Sequence, residues 1–173
     1  MHRMNIDRVT HEISTKLKYS IKDKYLLLTA LTRQSAISEN EKSLHAAISS
    51  QRLEFIGDSV LGLIITKQLY LSLSTASKDQ LQRIKQSIIS NKTLGKLGHE
   101  LDLERFLVVG KSEKDNINSN NKAIADLLEA LIGVVYLDSK SSFETTERVV
   151  LDLFMKVIQE ELKELLIKWK YIN

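Results

Sequence analysis

The sequence predicts an all-α protein, and three observations lead to that prediction. The chain has 173 residues with no proline and only six glycines, so it contains few residues that end or bend a helix. Apolar residues recur at three- and four-residue spacings along most of the chain, which is the period of an amphipathic helix. No segment convincingly shows the two-residue alternation of a strand. We therefore expect about seven helices in a single domain over residues 1–173.

The individual helices follow from this periodicity. The predicted helix 77–90 begins with Ser77, whose hydroxyl can accept a hydrogen bond from an amide of the first turn. Ser77 is therefore a predicted N-cap. Two segments are apolar nearly all round and are expected to be buried central helices, 52–72 and 122–137. Two polar segments are predicted mainly as loops, 33–50 (with room for one helical turn around 44–48) and 110–121. The seven predicted helices are 7–17, 25–31, 52–72, 77–90, 91–101, 122–137 and 143–170.

Composition excludes several classes of protein. The absence of cysteine excludes disulfides and thiolate metal sites. The most apolar run, 60–73, is too short to cross a bilayer and is interrupted by Lys67 and Gln68. A net charge of +3 and a pI near 9.0 permit a nucleic-acid partner without requiring one. We expect a soluble, cytoplasmic protein with no membrane partner.

Two pairs of acidic residues lie inside the two predicted central helices. Glu54 and Asp58 are four residues apart and diverge by about 40° around a helix axis, while Asp126 and Glu129 are three apart and diverge by about 60°. Carboxylates on apolar helices are costly unless their charge is compensated. Four that converge would suit a hard divalent cation such as Mg²⁺. Structural ion pairs fit the same spacing, so the residues alone leave both interpretations open.

The segments that carry these pairs resemble the two signature motifs of the ribonuclease III family. Residues 51–59 read Gln-Arg-Leu-Glu-Phe-Ile-Gly-Asp-Ser, against Glu-Arg-Leu-Glu-Phe-Leu-Gly-Asp-Ser/Ala in the family. Residues 124–133 read Ile-Ala-Asp-Leu-Leu-Glu-Ala-Leu-Ile-Gly, against Leu-Ala-Asp-x-x-Glu-Ala-Leu-Ile-Gly. Weaker similarities occur at 30–32 and 91–94, so the resemblance extends over roughly residues 10–160.

The resemblance implies a fold, a reaction and a partner. Members of the family are metal-dependent nucleases that cut double-stranded RNA, including ribosomal precursors, to 5′-phosphate and 3′-hydroxyl ends. The positions that match their metal ligands are Glu54, Asp58, Asp126 and Glu129. Mg²⁺ is the implied ion, with Mn²⁺ as a substitute, and Asp58 and Glu129 are the implied catalytic residues. The family works as a homodimer, and the aromatic that matches Phe55 inserts into the partner subunit.

Three departures from the family pattern leave an alternative open. Gln51 stands where the signature opens with Glu, and Lys78, with Asp79 beside it, stands where a further acid is usual. Residues 32–35 read Thr-Arg-Gln-Ser, where Thr-His-Arg/Lys-Ser is usual. The chain also stops where the linker to a double-stranded-RNA-binding domain would begin in typical bacterial members. We therefore expect either a nuclease domain without that binding domain, a naturally short member, or a non-catalytic RNA-binding or ribosome-associated structural protein.

Overall fold

The computed structural model describes residues 5–38, 44–114 and 120–170, and its architecture is helical throughout these ranges. The strand-like feature in them is an isolated parallel bridge between Thr32 and Val108. The predicted all-α class is therefore confirmed. The described ranges contain nine α-helices and one 3-10 helix: α1 (Ile6–Leu17), α2 (Lys24–Leu31), α3 (Gln34–Ser38), α4 (Leu44–Ser72), α5 (Lys78–Ile88), α6 (Asn91–Glu100), the 3-10 helix (Leu103–Phe106), α7 (Lys111–Lys114), α8 (Asn121–Asp138) and α9 (Phe143–Lys170).

The two central helices predicted from the sequence correspond to α4 and α8. They pack against each other more extensively than any other pair of described elements, and α6 packs on another side of α8. Side chains along most of α8 are buried, which is why its sequence is apolar nearly all round. The fully buried side chains of the core include Leu61, Ile64, Ile65, Leu128, Leu131 and Phe154.

Hydrogen bonds at both ends hold α8 in place. The side-chain oxygen of Asn120 accepts from the amide of Ala123 at 3.1 Å and so caps the N-terminus. At the other end, the carboxylate of Asp138 accepts from the Tyr19 hydroxyl and from the Asp23 amide, each at 2.7 Å. These contacts tie the end of α8 to the connection between α1 and α2, so the helix that carries the second motif is fixed at both ends.

The prediction of a cap at Ser77 is confirmed. The Ser77 hydroxyl accepts from the Gln80 amide at 3.3 Å, and the Gln80 side-chain oxygen accepts from the Ser77 amide at 2.7 Å. This reciprocal pair is a capping box, which satisfies two amides that helix geometry leaves without partners. The start of α5 was therefore readable from the sequence.

The prediction of loops at 33–50 and 110–121 is wrong in part. Helix α3 lies inside the first segment, and α4 begins at Leu44 instead of near residue 52. No glycine or proline interrupts residues 44–51, and an established helix gains one hydrogen bond for each residue added. The second segment contains the short helix α7. Residues 39–43 and 115–119 of the two predicted loops lie outside the described residues.

The prediction that the first central helix is buried all round is also wrong. Phe55, Leu63 and Tyr70 of α4 are 77%, 57% and 70% exposed. Apolar residues on every side of a helix indicate that burial of each side would be favourable. They do not indicate whether a side is buried by the same chain or by a partner. Among the described residues, no helix has the combination of length and hydropathy that crossing a bilayer requires.

Candidate metal centre

The two acidic motifs meet because two glycines let the backbones of α4 and α8 touch. A Cβ placed on Gly57 would lie 1.8 Å from the carbonyl oxygen of Glu129, and one on Gly133 would lie 2.3 Å from the carbonyl oxygen of Leu53. No side chain larger than hydrogen fits at either contact. Gly57 therefore permits the close approach of α8 beside Asp58, and Gly133 has the matching role on the facing helix.

Three of the four predicted carboxylates come together at this crossing. One oxygen each of Glu54, Asp126 and Glu129 lies within 4.8 Å of the other two, and no other such group occurs among the described residues. Helix α4 supplies Glu54, and α8 supplies the other two from successive turns. An all-oxygen donor set on this scale suits a hard divalent cation such as Mg²⁺ or Mn²⁺. The side chains therefore fit the metal that the sequence pattern implies.

The fourth predicted residue, Asp58, is placed at the edge of the site. Its side chain is exposed and is not part of the group of three. It is nevertheless close enough to contribute the largest charge effect on Glu129. Asp58 therefore lies beside the group of three, and its role as a metal ligand stays a prediction.

Negative charge accumulates in this group without full compensation. Burial, followed by the carboxylates of Asp58, Glu54 and Asp126, raises the pKa of Glu129 to about 7, and Lys122 only partly opposes this. Burial and the neighbouring Asp126 also raise the pKa of Glu54. Glu129 is only 9% exposed. A bound cation would relieve this repulsion, so the electrostatics favour a metal centre over a closed set of ion pairs.

The segments that form this helix crossing match the model of a known protein family. The family model for the ribonuclease III domain matches residues 51–140, which is more than half of the chain. The chain belongs to the ribonuclease III family. The matched residues include both acidic motifs and the helices α5 and α6 between them.

Curated relatives and solved structures agree with this assignment. The chain is 39% identical over 154 residues to the ribonuclease 3 of Caldanaerobacter subterraneus, 33% over 142 residues to that of Francisella tularensis, and 34% over 137 residues to that of Leptospira interrogans. These alignments cover 87%, 82% and 79% of this chain but 64%, 56% and 53% of the relatives, so the chain spans little more than half their length.

Two solved structures of the nuclease domain of ribonuclease III from Campylobacter jejuni match with a TM-score of 0.72 and 28% sequence identity. The matches cover 84% and 89% of this chain and 95% and 96% of the Campylobacter chains. The described helices are therefore those of a ribonuclease III nuclease domain.

Two cations of this ribonuclease III domain approach Asp126, and neither was predicted from the sequence to lie at the site. The Lys122 ammonium donates to both oxygens of Asp126, at 2.9 and 3.1 Å, and Nη1 of Arg33 lies 3.6 Å from Oδ2. The hydrogen bond to Asp126 is the main reason why the pKa of Lys122 is raised. The four-residue spacing of Lys122 and Asp126 was a usable signal. The contact of Arg33 comes from the fold and has no local sequence signal.

A third unassigned residue, Glu113 of α7, completes this polar network. The Arg33 guanidinium donates to both Glu113 oxygens, from Nε at 3.2 Å and from Nη2 at 3.4 Å. Burial alone would raise the pKa of Glu113, but hydrogen bonds from Ser35 and Arg33 outweigh it and lower the pKa. Glu113 lies in a segment predicted to be a loop, and no spacing pattern connects it to either acidic motif.

The departures from the family pattern have different positions in the structure. Gln51 and Glu54 line a small cavity of about 60 Å³ that also touches Arg33 and Asp126. Lys78 instead lines a groove between α4 and α5. The change from a carboxylate to an amide at Gln51 therefore affects the candidate metal centre directly, while Lys78 belongs to another surface of the described fold.

Proposed function

We propose that this chain is a Mg²⁺-dependent endoribonuclease that hydrolyses double-stranded RNA to 5′-phosphate and 3′-hydroxyl ends. The observation that carries this proposal is the meeting of Glu54, Asp126 and Glu129, whose negative charge is only partly compensated, in a domain of the ribonuclease III family. The names of the curated relatives support the nuclease activity.

The residues proposed to hold the ion are Glu54, Asp126 and Glu129, with Asp58 at the open edge of the site. When bound, Mg²⁺ supplies charge stabilisation for phosphoryl oxygens and promotes ionisation of water, and Mn²⁺ can replace it. Glu54 and Asp126 have the binding role. Glu54 approaches Glu129 from α4 and Asp126 lies one turn before it on α8, so their charges also keep the Glu129 carboxylate basic enough to interact with water.

Asp58 and Glu129 are the proposed catalytic residues. Glu129 is nearly buried, so its carboxylate can orient one water molecule by accepting a hydrogen bond while the surrounding helices exclude others. Asp58 is exposed beside it, where a phosphodiester arriving from solvent would make first contact. Glu129 would therefore lie at the buried side of the reaction centre, and Asp58 at the side that is open to solvent.

The proposed substrate is duplex RNA, and ribosomal precursors are the proposed natural source. A net charge of +3 is compatible with a polyanionic partner. The described helices offer no narrow cleft for a single unpaired base at the acidic group, where the cavity is about 60 Å³. Recognition of phosphates and 2′-hydroxyls across a duplex suits such an open surface. We place this activity in the cytoplasm, in RNA processing.

We also propose that the chain acts as a homodimer through an apolar stripe on α4. Phe55, Leu63 and Tyr70 are exposed and lie within about 80° of each other around the helix axis. An aligned row of large exposed apolar side chains is typical of a surface that a partner covers. For the Campylobacter jejuni nuclease domain, flexibility is described in a region involved in dimer formation. Two copies would place two metal centres on one duplex.

The function is tested by incubating the purified protein with a labelled RNA duplex at low salt, with Mg²⁺ or with EDTA. We expect 5′-phosphorylated fragments only with Mg²⁺, and loss of at least about a hundredfold in rate for Glu129→Gln because a ligand and the water acceptor are removed together. Glu144→Gln is the matched control, since Glu144 is exposed on α9. Undiminished cleavage by both Glu129→Gln and Asp58→Asn would refute the assignment.

One observation favours a second candidate function, a non-catalytic RNA-binding or ribosome-associated structural protein. Gln51 lines the cavity beside Glu54, so an amide stands where an additional carboxylate would add negative charge. This candidate predicts RNA association that is unchanged by Glu129→Gln and no cleavage at any concentration of Mg²⁺. The cleavage assay above separates the two functions.

A further inference from the structure

Arg33 lies between two carboxylates that belong to different parts of the fold. Its Nε and Nη2 donate to the two oxygens of Glu113, and its remaining nitrogen, Nη1, faces Asp126 Oδ2 at 3.6 Å. The fork fixes the plane of the guanidinium, because two parallel hydrogen bonds to one carboxylate leave little freedom of rotation. The direction in which Nη1 points is therefore set by Glu113.

The fork is itself anchored to the backbone. The Arg33 amide donates to the carbonyl of Val108 at 2.9 Å, and the Val108 amide donates to the carbonyl of Leu31 at 2.8 Å. The Ser35 hydroxyl donates to Glu113 and accepts from the Gly110 amide at 3.0 Å. Arg33 is thus held from its backbone and from its side chain by residues outside the acidic group.

Lys122 contacts the same carboxylate in a different way. Its ammonium hydrogen-bonds both oxygens of Asp126, at 2.9 and 3.1 Å, and so occupies the lone pairs that a cation would need. Its side chain is 67% exposed, so water can replace those bonds at little cost. The separation of 3.6 Å between Arg33 and Asp126 is too long for a hydrogen bond, so Arg33 attracts the Asp126 carboxylate by its charge without itself occupying a lone pair.

We propose that Arg33, held by Glu113, is a positioning residue that orients Asp126 for cation binding, and that Lys122 is a counter-ion which the cation displaces. This inference rests on the proposed function, because it assigns roles around the same metal centre. It also gives a role to a position where the sequence departs from the family pattern. Partners of ligating side chains commonly change metal affinity tenfold to a hundredfold when removed.

The test measures metal affinity, without RNA, by calorimetric titration with Mg²⁺ and by the electron paramagnetic resonance signal of bound Mn²⁺. The main variant is Arg33→Ala/Glu113→Ala, which removes the fork without changing the net charge. The matched control is Lys67→Ala/Glu147→Ala, which removes another pair that joins two helices, with a separation of 2.8 Å, about 13 Å along α4 from Asp58. Thermal unfolding in EDTA verifies that each variant is folded.

We expect the main variant to bind Mg²⁺ about tenfold more weakly and the control to bind within twofold of the wild type. Lys122→Ala should tighten binding about threefold, because a competing charge is lost. Arg33→Lys keeps the charge but cannot form the fork, so it should also weaken binding, and it serves as the second variant if the main one unfolds.

The inference is overturned if the main variant, or Arg33→Lys, binds Mg²⁺ as tightly as the wild type, or if Lys122→Ala weakens binding. In that case a wild-type protein that binds Mg²⁺ and cleaves RNA would still support the proposed function. A wild-type protein that binds neither Mg²⁺ nor Mn²⁺ would overturn the inference and the proposed function together.

Discussion

Glu129 is the residue at which stability and the proposed chemistry conflict. Its pKa rises from the ordinary value of 4.5 to about 7, because of burial and then because of the neighbouring carboxylates. A carboxyl whose pKa is raised by folding favours the protonated form in the folded state. Its contribution to stability is therefore fully present below about pH 4.5 and is lost as the pH rises through about 7. Above that pH, the metal-free protein contains a charge that it accommodates poorly.

Glu129→Gln should consequently stabilise the metal-free protein at pH 8 and leave its stability nearly unchanged at pH 5. We expect a gain of roughly 1–2 kcal/mol at pH 8, less than the whole shift in pKa would imply, because water near the open side of the site screens the charges. Urea unfolding in EDTA at both pH values measures the change. Glu144→Gln, at an exposed position of α9, should change neither value. Equal stability of wild type and Glu129→Gln at pH 8 would contradict this prediction.

Individual residues of the site were predictable to the extent that local spacing determines them. The helical spacings identified Glu54, Asp126 and Glu129, which the fold brings together. The same logic could have added Lys122 but not Arg33, because the latter approaches through a contact between segments 93 residues apart. Spacing along one helix determines which side chains share a face, while the partners of that face depend on packing.

At the scale of elements, the site depends on direct contact between the backbones of α4 and α8. Gly57→Ala would place a Cβ 1.8 Å from the Glu129 carbonyl oxygen, so the two helices would have to separate. We expect a loss of about 2–3 kcal/mol in the free energy of unfolding, despite the better helix propensity of alanine. Metal affinity should fall as well, because separation moves Glu54 away from the carboxylates of α8.

Gly62→Ala on the same helix is the matched control. A Cβ there would meet only the end of the flexible Lys85 side chain, with Nζ at 3.4 Å. This variant should be neutral or up to about 1 kcal/mol more stable, as expected for glycine replaced by alanine in a helix. Urea unfolding followed by circular dichroism compares the two variants. Similar free energies of unfolding for Gly57→Ala and Gly62→Ala would show that the close approach of α4 and α8 is not required.

The elements themselves were predicted well where their sequence contains its own signals. Ser77 and Gln80 mark the start of α5, and the apolar run of 122–137 corresponds closely to α8. The helical turn allowed around 44–48 is the first part of α4, but its continuity with the central helix and the short helices α3 and α7 were missed. Their sequences are polar and have no apolar stripe, and short helices in proteins depend on tertiary packing more than on propensity.

At the scale of the whole molecule, the packing of a single chain does not explain why the apolar stripe of α4 is exposed to water. The sequence predicted that 52–72 is buried on every side, but among the side chains of α4 that are described, the fold covers only those on the side that faces α8 and the rest of the core. Phe55, Leu63 and Tyr70 are largely exposed to water. Complete burial of one large apolar side chain is favourable by roughly 1.5–3 kcal/mol relative to its exposed state. A second copy that covers this stripe would remove that cost, which is the physical reason for proposing a dimer.

Phe55→Glu should therefore convert the protein to a monomer. Phe55 is 77% exposed in the single chain, so the change should leave the free energy of unfolding of that chain nearly unaffected. In the proposed dimer, the change would remove an aromatic side chain buried at the interface and would add a charge to the apolar stripe. We expect the dimer dissociation constant to rise at least about thirtyfold, measured by sedimentation equilibrium, and cleavage of both strands of a duplex to be lost with it. Tyr25→Glu is the matched control, because Tyr25 is 85% exposed on α2, outside the stripe. A Phe55→Glu protein that remains dimeric, or a wild-type protein that is monomeric at micromolar concentration, would contradict a dimer formed through this stripe.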